Sequence, residues 1–292
     1  MATGLEAMAF NHCLRIALGR TCIGIRCQDE VFLAEARRRY EPFLSPEEPE
    51  LWIELDLRKG QTAEEIRQLL PHTRIHAEGD GFTTEPELMR GRVEWPAGLL
   101  QVQTERAFFS PQTGYKLMDV LLRGLYYGIY KQKKGVNPDA YLVHGCGILS
   151  EGRGYLFTGP SGAGKTTVAR MAGCRRVLND EVVVVGLDKG QCYVAGTPLE
   201  GGIAERCNAA ASLHAILLLK QGAEASVRRL RSAEAYRSLL PQTIGAPRFL
   251  DTGSPSSLQE RADFWAMVAS RVPCYELTFR LDGSFWPLVE CL

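Results

Sequence analysis

The sequence predicts a mixed α/β fold in which a larger C-terminal part carries a glycine-rich loop and a smaller α+β region precedes it. Three observations predict it. The octapeptide Gly159-Pro160-Ser161-Gly162-Ala163-Gly164-Lys165-Thr166 sits between a short apolar strand, Tyr155 to Thr158, and a helix running from Thr167 to Ala172. Between residues 115 and 131, Leu117, Leu121, Leu122, Leu125 and Ile129 recur at helical spacing. Leu51, Ile53, Leu55 and Leu57 alternate with Trp52, Glu54 and Asp56, the period of a half-buried strand.

Taken in order, Leu14 to Gly24 is apolar and glycine-interrupted, Val31 to Arg39 reads as helix, and Leu51 to Leu57 as a strand for which antiparallel pairing is expected. Thr62 can cap a helix through Leu70, with Glu65 completing a capping box and Pro71 stopping it. A turn at Gly79-Asp80-Gly81 follows. Residues 91–95 and 99–104 then form a hairpin around Pro96-Ala97-Gly98. No catalytic motif lies in this region. The domain boundary is expected near Ala107 to Gly114, giving an N-terminal α+β region, 1–110, and a phosphate-loop domain, 111–292. The long helix ends in Lys131, Lys133 and Lys134, a charge run that suits a solvated terminus. After a break from Gly135 to Pro138, Tyr141 to Leu149, a turn and Tyr155 to Thr158 make a hairpin that delivers the loop.

Composition narrows the partners. With 34 basic and 34 acidic side chains the chain has no global field, so nucleic acid and anionic membranes are not expected and any anion site must be local. Nine scattered cysteines without CxxC spacing read as reduced and mostly buried. With no secretory signal pattern at the N-terminus and no long apolar run, a cytoplasmic location is expected.

The loop matches GxxxxGK[ST] in its required strand-loop-helix setting. Gly159, Gly162 and Gly164 permit backbone angles that turn successive N–H groups inward around phosphate oxygens. The following helix N-terminus adds partial positive charge. Lys165 can reach the β- and γ-phosphates, and the Thr166 hydroxyl can ligate Mg²⁺. The candidate nucleotide contacts are therefore Gly159, Pro160, Ser161, Gly162, Ala163, Gly164, Lys165, Thr166 and Thr167, with ATP as the nucleotide.

Phosphoryl transfer also needs carboxylates to hold the metal and orient the attacking group. Asp180 and Glu181 follow Lys165 after a short helix that Gly173 ends, at the start of the apolar run Val182 to Val185. The connection is too short for the long crossover of a motor or GTPase core, which points to a compact kinase-like arrangement. Glu200, on the turn Gly196 to Gly202, is a second metal candidate beside Thr166 and Asp180. His144 ends a strand expected to lie beside the loop strand.

His144-Gly145, the hairpin, the octapeptide, the Leu178-Asn179-Asp180-Glu181 turn and the valine-rich strand after it resemble the C-terminal kinase domain of HPr kinase/phosphorylase. The likeness covers about residues 142–289 and is nearest to shorter HPr-kinase-like serine kinases associated with peptide maturation, such as lasso peptide kinases. It implies a mixed sheet like that of phosphoenolpyruvate carboxykinase and an ATP- and Mg²⁺-dependent transfer to a serine-type hydroxyl of a peptide or protein. Lys165 would grip the β/γ-phosphates, Thr166 and Asp180 would serve Mg²⁺, and His144 would sit near the phosphoryl group. The family pattern has two aspartates where this chain is read as Asn179 and Asp180, so Asp180 or Glu181 takes the base role or the hydroxyl is only oriented. The glycine-rich signature of true HPr kinases is missing, so HPr itself is not the expected acceptor. A homo-oligomer is possible, since true HPr kinases form rings.

Two other readings stand beside this one. A shikimate-type small-molecule kinase needs a helix where Val182 to Gly186, a turn at 188–190 and Gln191 to Ala195 read as a hairpin; free serine as acceptor stays open. A non-catalytic nucleotide-binding module draws its support from Asn179.

Overall fold

The computed structural model describes residues 13–94, 97–110, 113, 116–133, 139–245, 256–280 and 282–292. Lys134, the break Gly135–Pro138, Trp95, Pro96, Tyr115, part of the expected boundary segment and the extreme N-terminus lie outside the described residues. The chain divides into two compact units, one formed by residues up to Ile16 with Thr21–Leu125, the other by Ala17–Arg20 with Tyr126–Leu292.

The first unit is built on a seven-stranded mixed sheet. Its elements are β1 (Cys13–Leu18), β2 (Thr21–Cys27), α1 (Glu30–Arg39), β3 (Leu51–Arg58), α2 (Ala63–Leu69), β4 (Arg74–Glu78), β5 (Gly81–Glu85), β6 (Met89–Glu94) and β7 (Leu99–Glu105), in the sheet order β1-β2-β3-β7-β6-β5-β4. The alternation in β3 is real: Leu51, Ile53 and Leu55 are buried and Asp56 is exposed. Its pairing is not the antiparallel one expected, because β3 runs parallel to both β2 and β7. Between β2 and β3 the chain passes through α1, the kind of crossover connection that parallel neighbours need. The capping box forms as expected, with Thr62 accepting from the Glu65 N–H and Glu65 from the Thr62 N–H, and Pro71 sits in a 3-10 turn after α2. The turn at 79–81 joins β4 to β5, and β6 and β7 pair antiparallel.

The helix α3 (Lys116–Lys133) leads into the second unit. There β8 (Ala140–Ser150) and β9 (Arg153–Thr158) form the expected hairpin, joined by Glu151 and Gly152, both at positive φ. The chain continues through α4 (Lys165–Arg170), β10 (Arg176–Asn179), β11 (Val182–Asp188), β12 (Gln191–Ala195), β13 (Ala210–Gln221), β14 (Ser226–Arg229), α5 (Ser232–Leu239), α6 (Ser256–Arg271), β15 (Cys274–Phe279) and α7 (Trp286–Glu290). The β11–β12 hairpin turns on Lys189 and Gly190, again both at positive φ. The strands β9, β13 and β15 are parallel and the rest pair antiparallel, so this sheet is mixed as well.

Two long strands organise the unit. On one side of β8, β10 and β11 form a nearly continuous antiparallel ladder, interrupted at Asp180-Glu181; on the other side β9 pairs only with the second half of β8 and ends at Thr158, opposite Gly145. The strand β13 pairs with β12 through its first residues and with β9 and β15 through its last. Pairing therefore runs in a closed circuit through β11, β8, β9, β13 and β12. One apolar core on this framework gathers Phe157, Val168, Phe279, Phe285 and Trp286 under α4 and α7; the other gathers Val143, Leu156, Val183, Phe264 and Trp265 with α5 and α6. Edge-to-face contacts such as Phe157–Trp286 at 5.5 Å contribute about 1 kcal/mol each beyond burial. These cores hold the C-terminal end of β9 rigid.

All nine cysteines are free, and burial pushes the Cys27 thiol up to about 11 and that of Cys274 to about 12. No helix among the described residues is long and apolar enough to cross a membrane.

Candidate functional site

The site begins where β9 stops. Thr158 donates its hydroxyl to the His144 carbonyl at 2.8 Å, fixing the end of β9 against β8, and the chain then turns through residues 159–164 into α4. Gly159, Gly162 and Gly164 have φ of 152°, 80° and 110°, a region in which a Cβ is strained. A Cβ on Gly164 would also stand 2.7 Å from the Phe279 ring. The Ala163 N–H bonds the Pro160 carbonyl at 3.1 Å, and Gly164 caps α4 with no side-chain hydrogen bond. The first N–H groups of α4 are thus left to a ligand or to water. Lys165 is buried and its Nζ donates to the carbonyls of Gly159 and Pro160 at 3.0 and 3.1 Å. Burial lowers its pKa, and the nearby Glu181 opposes that shift.

The carboxylates arrive from the other side of β8. Because Glu181 O accepts from the Gly145 N–H at 3.1 Å and Gly145 is paired with Thr158, the loop and the 180–181 turn flank a single point of β8. That is two strand spacings, about 10 Å between backbones, within reach of side chains from both sides. Asp180 is 1% exposed. Both its oxygens accept from the Gly202 N–H, at 3.0 and 3.1 Å, and among the described residues it has no ion pair. A Cβ built on Gly202 would lie 3.0 Å from Asp180 Oδ2 and 3.2 Å from Thr166 Oγ1, so these two oxygens border one spot. A buried carboxylate held by one N–H is short of positive charge. A hydroxyl and a carboxylate that border one point are donors of the kind Mg²⁺ takes in such sites. No three His, Cys, Asp or Glu side chains among the described residues cluster into a protein-only metal cage, and Glu200 is exposed on the loop ahead of Gly202.

Glu181 and His144 form a pair at the rim, His144 Nε2 lying 3.1 Å from Glu181 Oε1. The hydrogen bond from His144 holds the Glu181 carboxyl below its ordinary value, with His144 and Lys165 charge acting in the same direction against partial burial. Burial pushes the Cys146 thiol far up; it lies close enough to feel both Asp180 and Lys165.

Asn179 does none of this. Its Nδ2 donates to Leu199 O at 2.8 Å and to Thr197 O and Oγ1 at 3.2 and 3.3 Å, while its Oδ1 accepts from the N–H groups of Glu181 and Val182 at 2.8 and 3.0 Å. The amide is buried and both its oxygen and its nitrogen are engaged by these bonds. Sequence reasoning also passed over Gly202 as a partner of Asp180; the Gly201-Gly202 doublet was its signal, since Cβ atoms there would meet Asp180 Oδ1 at 2.1 Å and Oδ2 at 3.0 Å.

Strand, glycine loop and helix belong to a mixed α/β protein with two mixed sheets. Residues 110–292, well over half the chain, match the family model described as SynChlorMet cassette protein ScmC, and the chain belongs to that family. Among solved structures, the Hpr(Ser) kinase/phosphatase from Coxiella burnetii is similar over 52% of this chain and 92% of its own, at 12% identity and a TM-score of 0.29. A likeness of that size transfers neither activity nor residue roles. No curated protein matches the chain.

Proposed function

We propose that this protein is an ATP- and Mg²⁺-dependent kinase that phosphorylates a serine-type hydroxyl of a peptide or protein. The observation that carries the reading is that Thr166 Oγ1 and Asp180 Oδ2 lie 3.2 and 3.0 Å from one point beside Gly202, next to a glycine loop whose helix has no side-chain cap. Loop amides from 159 to 166 would hold the β- and γ-phosphates, and the Lys165 ammonium would leave the Gly159 and Pro160 carbonyls for the γ-phosphate. Mg²⁺ on Thr166 and Asp180 would neutralise charge on the bridging oxygens.

The acceptor oxygen bonds to the γ-phosphorus as the bond to the β–γ bridging oxygen breaks; ADP leaves with that electron pair. The hydroxyl proton would pass to the Glu181 carboxylate, which His144 holds in place. The Asn179 amide is taken up by hydrogen bonds to Leu199, Thr197, Glu181 and Val182, which supports giving the base role to Glu181; the non-catalytic reading predicts ATP binding with no label transfer.

The family description speaks of a cassette, which makes a neighbouring gene product the first acceptor to test. Purified full-length protein incubated with γ-labelled ATP, Mg²⁺ and that peptide is expected to place label on a hydroxyl residue. Asp180→Asn should cut transfer on the order of a hundredfold while ATP still binds. Full transfer by Asp180→Asn overturns the metal assignment, and label confined to free serine or another small molecule overturns the peptide acceptor.

A further inference from the structure

The three parallel strands of the second unit end on one edge: β9 at Thr158, then β13 at Gln221 and β15 at Phe279. The carboxylates lie on the β8 side of β9, whereas β13 and β15 lie on the opposite side. A cleft of about 530 Å³ opens at those two strand ends, lined by Gln221, Gly222, Ala223, Phe279 and Arg280. It adjoins the phosphate loop directly, because Gln221 Nε2 donates to the Gly162 carbonyl at 2.9 Å and the Phe279 ring lies against Gly164.

We propose that this cleft binds the nucleoside half of the triphosphate. The proposal rests on the phosphate-loop reading above and adds where the remainder of the ligand lies. A triphosphate whose γ end faces Lys165, Asp180 and Glu181 must lead its α-phosphate away from β8. That direction crosses β13 and reaches β15 about 10 Å from β9. In parallel sheets the crevice beyond the carboxyl ends of the strands is where ligands are received.

The lining suits a base and a sugar. Gly222 lets β13 turn low over β15: its N–H bonds the Phe279 carbonyl at 3.1 Å, and a Cβ there would come 2.3 Å from Thr278 Cγ2. With one N–H of Gln221 committed to Gly162, its Oε1 and second N–H form a donor–acceptor pair of the kind that reads a purine edge. Arg280 presents an exposed guanidinium whose Nε is held by Asp282 at 3.3 Å, a planar surface on which a base can stack.

Calorimetry on the full chain with Mg²⁺ compares ATP with inorganic tripolyphosphate, which has the phosphates and no nucleoside. Ala223→Trp, which fills the cleft from an exposed position, and Arg280→Ala are each expected to weaken ATP about tenfold or more and leave tripolyphosphate within about twofold. Retained tripolyphosphate binding also shows that each variant is folded. Unchanged ATP affinity in both variants overturns the cleft and leaves the phosphate loop standing, as does wild-type protein that binds the two ligands equally. Equal weakening of both ligands overturns it too, since the substitutions would then act through the loop. Wild-type protein that binds neither ligand overturns the phosphate-loop reading and this inference together.

Discussion

Each unit contains a strand with a parallel neighbour that is followed by a helix, and the two helix N-termini are finished in opposite ways. At α1 the chain supplies its own cap: Asp29 Oδ1 accepts from the Phe32 N–H at 2.9 Å, and Arg106 neutralises the same carboxylate at 3.2 Å. At α4 the cap position is Gly164, without a side-chain acceptor, and the residue that follows is a buried lysine. A helix start with its own anion is closed; one with glycines, a lysine and no anion calls for a ligand to bring the charge. The N-terminal sheet, although it too has three parallel strands in a row, has no equivalent of the glycine loop among the described residues.

The sharpest way to break the comparison is to remove the cation at α4. Lys165→Ala is expected to lower ATP affinity or turnover about a hundredfold, read by calorimetry and by label transfer. A variant with wild-type values would mean that the open helix end is not where phosphate binds.

A middle-sized effect sharpens the contrast between adjacent residues. Asn179→Asp would turn a carboxylate toward the carbonyls of Thr197 and Leu199 and is expected to destabilise the protein by about 1–3 kcal/mol, read by denaturant unfolding, without raising activity. Faster turnover would instead show that position 179 faces the substrate.

The smallest effect is expected at the closed helix. Asp29→Ala should lower stability by about 1 kcal/mol through the lost cap and leave ATP affinity unchanged. A change in ATP binding there would dissolve the distinction between the two helix starts.

Much of this was legible before any coordinates. The capping box at Thr62-Glu65, the β8–β9 and β11–β12 hairpins and the glycine loop are local patterns, decided by residues near one another in sequence. The direction of β3 was not, because alternation reports burial and is silent on which neighbour pairs; the helical stretch at 31–39 held that information. The strand β4 alternates in sequence, Ile75 and Ala77 between polar residues, yet is exposed along its whole length, so there alternation does not report burial. At the site, Lys165, Thr166 and Asp180 follow from the motif and the short connection behind it. The facing of Asn179 could not be read, since the ladder of β10 on β8 shifts register between Val177 and Asn179, which breaks any count of alternate faces.

That register has a further consequence for how the chain can vary in length. An extra residue between Ala140 and Gly145 would shift the β8–β11 register against the β8–β9 register, moving Gly145 relative to Glu181 and parting the loop from its acidic neighbours. The two-residue turns at 151–152 and 189–190 carry no such burden, so insertions in relatives belong at those tips and tags or grafted epitopes are best placed there.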